Sequence, residues 1–334
     1  MKFGLFSVDD AEATELVSGD IEAPGPEAFG QIEHILADRK CAAPTAIGHR
    51  IVHGGFQLRE HCLIDDHTVA LLEQASAFAP IHDPASLALI RLAREHFGAL
   101  PQVACFDTVF HADLPEVAYV LPIPREYRAA GIRRYGFHGL SCESVVRHLA
   151  GDVPARLIVA HLGNGSSVTA IRDGRSIDTS MGLTPSGGVI MASRSGDLDP
   201  GVLLYLLREK HIDAAELAEM IDFRSGLLGI SDISGDMRRL HEAAPTNADA
   251  RLAIGMFCYS VRKQIAGMIA ALGGIDLLVF TGGVGENDDA VRATICAGLD
   301  WVDGLAVDVI ESREDAMIAA HTRAIVGGKR PKPS

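Results

Sequence analysis

The stretch Ala160–Pro200, AHLGNGSSVTAIRDGRSIDTSMGLTPSGGVIMASRSGDLDP, opens with the residues on which the fold of this chain depends. An apolar run at 157–160 leads into it, and a second alternating run follows at 168–171. The pattern predicts a buried strand, a tight turn of glycine, asparagine and serine, and a returning strand. Glycines and small hydroxyls at such a turn let backbone N–H groups approach a phosphate closely. An ordinary hairpin and loop is the alternative, which so short a motif leaves open.

Strand and helix patterns alternate on both sides of this stretch, and this alternation predicts an α/β protein. The longest helical segment repeats an apolar residue every four positions, which predicts its buried face. Those residues are Phe257, Val261, Ile265 and Ile269. Asp66 and Ser141 are expected to cap the helices that follow them. Strands are predicted at 2–8, 45–51, 103–106, 277–280 and 307–310, and helices at 28–39, 66–77, 85–97, 141–149, 200–210, 214–221, 247–272 and 315–325.

Length, charge and cysteine usage narrow the class of protein. The 334 residues suffice for two domains, and a net charge of −14 argues against nucleic acid or an anionic membrane as a partner. The six cysteines are scattered without a C-x-x-C pair, which predicts thiols in a reducing compartment. No signal peptide and no membrane-spanning apolar run is evident, so we expect a cytoplasmic protein without membrane attachment.

A second glycine-rich turn, Gly282-Gly283-Val284-Gly285, follows a predicted strand and precedes a helical pattern at 289–299. A strand, a glycine turn and a helix together aim backbone N–H groups at an anion. The segment lacks the G-K-[ST] ending of a Walker loop and the glycine spacing of a Rossmann fingerprint. Phosphate binding and a simple tight turn both remain open for this segment.

Cationic and histidine side chains near the ends of apolar runs are candidates for anion binding. Arg50 and Arg194 stand among small residues, and the planar guanidinium suits carboxylate and phosphate groups. A structural ion pair is the alternative for each arginine. Without zinc-ligand spacing, the histidines near glycine turns and strand ends are interpreted as donors to an anion. They are His49, His53, His82, His111, His138 and His161.

Four carboxylates are candidates for holding a metal ion. Mg²⁺ needs only one or two carboxylates beside phosphate oxygens, so a small set is enough. Asp107 ends a predicted strand, and Asp199 precedes Pro200, where a helix cap is the favoured interpretation. Asp197 and Glu314 complete the set.

Nine longer motifs follow one another in the order seen in acetate kinases, and the chain resembles that family over nearly its whole length. The motifs are GHRIVHGG (48–55), API-H-DP (79–84), FDTVFH (106–111), RRYGFHGLS (133–141), AHLGNGSSVTAI (160–171), SIDTSMGLTP (176–185), SRSGDLDP (193–200), SGLLGISDISGDMR (225–238) and GGVGEN (282–287).

The resemblance implies an actin-like or sugar-kinase-like fold of two ribonuclease-H-like domains with the nucleotide in the cleft between them. The expected domains are 1–111 with 316–334, on the acetate and metal side, and 112–315, for nucleotide binding and dimerisation. The implied reaction is direct, in-line and reversible phosphoryl transfer from ATP to acetate, giving ADP and acetyl phosphate with Mg²⁺, or alternatively Mn²⁺. A homodimer is the implied assembly.

The same resemblance implies roles for individual residues. Arg50 is expected to hold the acetate carboxylate, and Val52, Ile81, Phe137 and Pro185 to surround its methyl group. Asp107, His138 and Arg194 correspond to the catalytic residues, and Glu314 to a residue linked to the metal. The expected nucleotide contacts are His161, Leu162, Gly163, Asn164, Gly165, Asp236, Met237, Arg238, Gly283, Val284, Gly285, Glu286 and Asn287.

The sequence also departs from the family pattern at its start. The family opens with a strand that ends in Asn-x-Gly-Ser-Ser-Ser-Leu-Lys, and the match here begins only at about Lys2. We therefore expect that this strand and its phosphate turn are missing and that sheet edges are left unpaired. One explanation for the missing strand is that the natural protein starts further upstream or that this sequence is truncated. The other is that the protein is a nucleotide-binding homologue with little activity. Propionate is the alternative substrate, because one methylene in an apolar pocket discriminates only about 10–200-fold.

Overall fold

A computed structural model describes residues 1–9, 12–22, 25, 27–76 and 83–328 of the chain. The chain divides into two units. The first consists of Met1–Ala112 together with Arg313–Ser334, and the second is the continuous segment Asp113–Ser312. Among the described residues, no helix combines the length and apolar character that crossing a membrane requires.

The first unit contains two small sheets, four α-helices and a short 3-10 helix at Val109–His111 among its described residues. The antiparallel strands β1 and β2 form one sheet, and the other has the order β3-β5-β4, with β3 parallel to β5. Within these sheets, β1 pairs only with β2, and β3 pairs only with β5. The elements are β1 (Lys2–Val8), β2 (Ala13–Asp20), α1 (Ala28–Asp38), β3 (Ile47–Ile51), β4 (Cys62–Leu63), α2 (Asp66–Ala75), α3 (Asp83–Phe97), β5 (Gln102–Phe106) and α14 (Glu314–Val326).

Strand β5 is buried along its whole length because helices cover both faces of its sheet. On one face, Ile51 and Phe106 pack with apolar side chains of α2 and α3. On the other face, α14 lies so close to β3 that a Cβ atom on Gly48 would collide with Thr322 and Ile318. Glycine at this position therefore permits the close approach of helix and strand.

The second unit is built on one five-stranded sheet of order β10-β9-β6-β7-β8. Its strands are β6 (Arg156–Leu162), β7 (Ser166–Arg172), β8 (Arg175–Thr179), β9 (Leu277–Thr281) and β10 (Ala306–Val309). Its helices are α4 (Glu116–Tyr119), α5 (Arg125–Ala129), α6 (Gly139–His148), α7 (Pro200–Glu209), α8 (Ala214–Phe223), α9 (Gly226–Ser231), α10 (Met237–Ala243), α11 (Ala248–Leu272), α12 (Gly282–Asn287) and α13 (Asp289–Cys296).

The hairpin predicted from the opening stretch is confirmed, because β6 and β7 pair antiparallel from Arg156↔Arg172 to Leu162↔Ser166. On its other side, β6 runs parallel to β9, with His161 opposite Thr281. Parallel strands end at the same edge of a sheet. The two glycine-rich turns, which follow β6 and β9, therefore lie side by side at that edge.

Helix α11 packs on the sheet through the face expected from its sequence period. The predicted residues are at most 8% exposed. They are Phe257, Val261, Ile265 and Ile269. Asn247 caps the helix by accepting a hydrogen bond from the Ala250 backbone N–H, and Gly273 ends it with a φ of +72°.

The structure differs from the sequence predictions in several short elements and in two helix caps. Strand β2 was not predicted, since half of its eight residues are polar and exposed. The side chain that caps α2 belongs to Asp65 instead of Asp66, and it accepts a hydrogen bond from the Thr68 N–H. Helix α6 begins at Gly139, so Ser141 lies inside it and is not its cap; the N-cap is His138, whose φ is +56°.

His49 is a buried histidine on β3 and is 6% exposed. Its Nε2 lies 2.9 Å from Oε1 of Gln102 on the neighbouring strand. Burial lowers the pKa of His49 to about 4 from its ordinary value of 6.5, and the hydrogen bond to Gln102 offsets only part of that effect. The unfolded chain therefore binds a proton at His49 more readily than the folded protein does.

We expect His49 to make the protein sensitive to acid. Between pH 6.5 and about 4 the unfolded state holds more protons, so stability falls as pH falls, by about 3 kcal/mol for this one group. His49→Gln should therefore lose less thermal stability over this range than the unaltered protein, as measured by circular dichroism. His67→Gln, at an exposed position on α2, is the control. Equal losses in the His49 variant and the unaltered protein would contradict this account.

Candidate active site

The turn Gly163-Asn164-Gly165 joins β6 to β7 at the sheet edge described above. A hydrogen bond within the turn joins its two glycines, since the Gly163 N–H donates to the Gly165 carbonyl at 3.0 Å. The Ser166 hydroxyl also donates to the Gly163 carbonyl, at 3.2 Å. A Cβ atom on Gly163 would lie 3.8 Å from the backbone nitrogen of Gly283, so the two glycine turns are neighbours.

Three cationic or histidine side chains surround this turn within the second unit. A Cβ atom on Gly165 would lie 2.7 Å from Nη2 of Arg194 and 3.1 Å from Nε2 of His138. One on Gly282 would lie 3.1 Å from Nε2 of His161. The donors therefore border a space that exists because side chains are absent from the glycines. Such a cradle of N–H groups suits the oxygens of a phosphate.

The two histidine rings are held by hydroxyl groups and by each other. Their centroids are 4.2 Å apart, and the ring planes differ by 24°. Nδ1 of His138 lies 3.0 Å from the Ser167 hydroxyl, and Nδ1 of His161 lies 2.8 Å from the Ser141 hydroxyl. Each ring thus uses Nδ1 for a structural hydrogen bond, and Nε2 faces the glycine turns.

Arg194 reaches the turn from the loop that precedes α7. Its Nη1 donates to the Pro185 carbonyl at 2.6 Å, which fixes one end of the guanidinium while Nη2 lies beside Gly165. Burial lowers the pKa of Arg194, and Asp222 offsets part of this effect. Pro185, expected from the resemblance in an apolar pocket, is buried and uses its carbonyl to hold this arginine.

The second glycine-rich turn is itself helical, because α12 begins at Gly282, before the helix predicted at 289–299. Gly282 adopts a φ of +79° at this junction, which favours glycine. Glu286 accepts hydrogen bonds from the backbone N–H groups of Gly282, at 2.8 Å, and Ser312, at 2.9 Å. The Asn287 amide donates to the Gly283 carbonyl. Glu286 and Asn287 therefore shape the turn from within, and Gly283 is exposed.

The expected nucleotide triplet lies at the start of α10. Asp236 caps this helix through the Arg238 N–H and pairs with the Arg238 guanidinium at 2.8 Å, and these bonds lower the pKa of Asp236 to about 2. The side chain of Arg238 is 88% exposed. Met237 and Leu162, in contrast, belong to the apolar core of the second unit, so only their backbones are available to a ligand.

A separate charged cluster lies in the first unit, where residues far apart in sequence meet. Nη2 of Arg50 lies 2.8 Å from Oδ2 of Asp107, and its Nη1 lies 2.8 Å from Oε2 of Glu314. Nε of Arg50 also donates to Asp107 at 3.1 Å. Arg50 comes from β3, Asp107 directly follows β5, and Glu314 opens α14. Adjacent parallel strands and the helix that packs on them bring the three together.

The two carboxylates dominate the electrostatics of Arg50. Burial alone would lower the pKa of its guanidinium, but Asp107 and Glu314 outweigh burial and raise that pKa above its ordinary value. Arg50 therefore stays cationic. Its Nη2 lies 2.8 Å from the Asp107 carboxylate, and its Nη1 lies 2.8 Å from the Glu314 carboxylate. The formal charges of this trio, two negative and one positive, sum to minus one.

The remaining residues predicted from the sequence lie at the following places in the structure. Val52 follows β3 and is half-buried in the first unit, and Phe137 is buried in the second. Ile81 and His82 lie outside the described residues. Asp199 caps α7, as its favoured interpretation predicted, and Asp197 accepts a hydrogen bond from the Gly188 N–H. His53 and His111 are buried, and His53 accepts a hydrogen bond from the Gly55 N–H.

The serines that hold the two histidines were missed as site residues. Ser141 was predicted as a helix cap, and Ser167 was only part of a hydroxyl-rich turn. Neither serine carries a signal in the sequence, because the partner of each lies in another part of the chain: Ser167 contacts His138, and Ser141 contacts His161.

Comparison with known proteins agrees with these features. A family model described as the acetokinase family matches residues 15–326. The acetate kinase of Methylocella silvestris is 42% identical over 324 residues, which cover 88% of this chain and 80% of that protein.

Solved structures give the same result. The acetate kinase of Porphyromonas gingivalis has a TM-score of 0.82 at 33% identity, over 97% of this chain and 90% of that one. A propionate kinase from Francisella tularensis has a TM-score of 0.86 at 35% identity, over 93% and 88%. The predicted fold class, α/β of the actin-like and sugar-kinase-like type, is confirmed by these similarities. By its motifs, its fold and its relatives, this chain belongs to the acetokinase family.

Proposed function

We propose that this protein catalyses the reversible transfer of the γ-phosphoryl group of ATP to the carboxylate of acetate, giving acetyl phosphate and ADP. The observation that carries the proposal is the convergence of His138, His161 and Arg194 on the glycine turn at 163–165. Phosphoryl transfer consists largely of positioning and charge stabilisation, and these three side chains supply donors for both.

The acceptor needs no general base in this reaction. A carboxylic acid with a pKa of roughly 4 to 5 is already ionised at neutral pH. Arg50 is the proposed partner of this carboxylate, because a guanidinium binds carboxylates in a paired geometry. His138 and Arg194 are proposed to stabilise the charge on the phosphoryl group as it is transferred.

The nucleotide is proposed to bind to the second unit. Its phosphates would lie against the turn at 163–165 and the N–H groups at 283–285, with His161 as a further donor. Asp236 and the exposed Arg238, together with the backbones of Leu162 and Met237, are proposed to contact the adenosine. Asn164, Glu286 and Asn287 complete the proposed nucleotide site, and the last two act mainly by shaping the second turn.

Asp107 and Glu314 fit a divalent cation. Both are oxygen donors of the kind that Mg²⁺ prefers, and the net charge of minus one in their cluster with Arg50 favours a cation. Mg²⁺ is the proposed ion, and Mn²⁺ shares its preference for carboxylates. When bound, such an ion supplies charge neutralisation on the phosphate oxygens. Asp107 is proposed to orient the ion or its waters and not to accept a proton.

Propionate is a second candidate substrate. The observation in its favour is the similarity to the Francisella tularensis propionate kinase. The residues proposed around the substrate methyl group, Val52, Ile81, Phe137 and Pro185, are apolar, and an apolar pocket discriminates weakly against one added methylene. The ratio of kcat/KM for acetate to that for propionate decides between the two substrates.

Formation of acyl hydroxamate tests the proposal: with ATP, Mg²⁺ and acetate, added hydroxylamine attacks the acetyl phosphate produced and releases phosphate. Asp107→Asn tests the role of its key carboxylate. We expect activity in the unaltered protein and a loss of at least about 100-fold in kcat for the variant, at every pH between 6 and 9. Asp66→Asn, at an exposed carboxylate of α2, is the control. No hydroxamate from the unaltered protein would support an inactive homologue. A variant with normal Mg²⁺–ATP affinity whose loss disappears at high pH would mean that Asp107 acts as a base.

We further propose a homodimer formed through the second unit, in a reducing, cytoplasmic environment. All six cysteines lie among the described residues and form no disulfide. Helix α11 carries Leu252, Met256 and Tyr259 on the face opposite its buried side, and they are 53%, 39% and 56% exposed. An apolar stripe of this kind is typical of a surface that a partner covers.

Charges in this stripe should separate the subunits. Met256→Glu combined with Tyr259→Glu should sediment as a monomer in analytical ultracentrifugation, because carboxylates at a closed apolar interface lose their hydration. Leu16→Glu, which puts a charge on an exposed apolar residue of the first unit, should remain a dimer. If the unaltered protein is a monomer, or if the double variant remains a dimer, the proposal is wrong.

A further inference from the structure

A chain of three hydrogen-bonding side chains ends at His161 inside the second unit. The Ser312 hydroxyl lies 3.1 Å from that of Ser141 and donates to it. The Ser141 hydroxyl in turn lies 2.8 Å from Nδ1 of His161. Ser141 is fully buried on α6, and Ser312 is the last residue of the second unit.

The direction of this chain determines which nitrogen of His161 carries the proton. A serine hydroxyl has one proton to donate. Ser141 accepts the hydrogen bond that the Ser312 hydroxyl donates, and among the described residues His161 Nδ1 is the other partner of the Ser141 hydroxyl. Ser141 therefore donates to Nδ1, which accepts. In the neutral ring the proton is then on Nε2, which makes Nε2 a donor.

Nε2 of His161 faces the glycine turns. It lies 3.1 Å from the position of a Cβ atom on Gly282 and 3.9 Å from that on Gly163. A donor there attracts an anion, whereas the other tautomer would place a lone pair toward it. The hydrogen bonds from Ser312 and Ser141 therefore decide whether Nε2 of His161 attracts or repels the phosphate of ATP that is proposed to bind there.

Ser312 also joins this chain to the second glycine turn. Its backbone N–H donates to Oε1 of Glu286 at 2.9 Å, and the same oxygen accepts from the Gly282 N–H at 2.8 Å. One residue thus holds both the His161 tautomer and the start of α12. A displacement of Ser312 would disturb the ring and the turn together.

We propose that Ser141 and Ser312 are positioning residues, which hold His161 as the Nε2–H tautomer aimed at the phosphate groups of ATP. The inference rests on the proposed function, since it assigns the anion at these turns to the nucleotide. Neither serine is required to touch the substrate, and both act through the histidine.

The test combines the tautomer of His161 with kinetics in Ser141→Ala and Ser312→Ala. Ser144→Ala is the matched control, because Ser144 lies on the same helix and donates to the Ser141 backbone carbonyl instead of to the histidine. Nitrogen-15 spectra of protein labelled at histidine, assigned with His161→Gln, report which ring nitrogen carries the proton. This measurement needs no enzymatic activity, so a failure of the proposed function would appear separately, as no hydroxamate from the unaltered protein.

In the unaltered protein and in Ser144→Ala we expect a protonated Nε2 and an unprotonated Nδ1 on His161. Ser141→Ala should show a mixture of tautomers and lose roughly five- to tenfold in kcat/KM for ATP, with KM for acetate little changed. Ser312→Ala should show a smaller loss of the same kind. A protonated Nδ1 in the neutral ring of the unaltered protein would overturn the proposal. So would a Ser141→Ala variant that keeps both the spectrum and the kinetics of the control.

Discussion

The parallel pairing of β6 with β9 is the constraint on which the second unit depends. It places His161 opposite Thr281, so the glycine turns that follow the two strands meet at one sheet edge. The buried strands and the core-facing side of α11 hold this register, because a shift by one residue would move every apolar side chain to the other face of the sheet and disrupt its packing. The side-chain donors of His138, His161 and Arg194 around these turns are thereby positioned before any ligand binds.

A protein with a net charge of −14 that binds anions must concentrate positive charge locally. In the second unit, Arg194 and the two histidines stand around a space left by glycines. The first unit differs, because Arg50 is cationic but its cluster with Asp107 and Glu314 has a net charge of minus one, which favours a metal ion. These residues are therefore suited to binding and stabilising charged substrates, and the proposed reaction needs no general base.

Local patterns predicted most elements, since the hairpin, the period of α11 and the strand β1 depend on neighbouring residues alone. The sequence motifs also named most of the residues that meet around the glycine turns. Features that depend on distant partners were not predictable. Ser141 has the residue type of a helix cap, and only folding brings it to His161. Likewise, no sequence period indicates that Met237 turns into the core or that Arg50 bridges two carboxylates.

The central claim is that the glycine turn at 163–165 holds the phosphates of ATP, and calorimetric titration of Gly165→Ala with Mg²⁺–ATP tests it most directly. The added methyl group fills the space beside Arg194 and His138, at a backbone conformation that alanine adopts. The account predicts binding at least about tenfold weaker than in the unaltered protein, or about 1.4 kcal/mol. Gly267→Ala on α11, where a Cβ atom meets nothing within 4 Å, should bind normally. Unchanged affinity in a folded Gly165→Ala variant would contradict the claim.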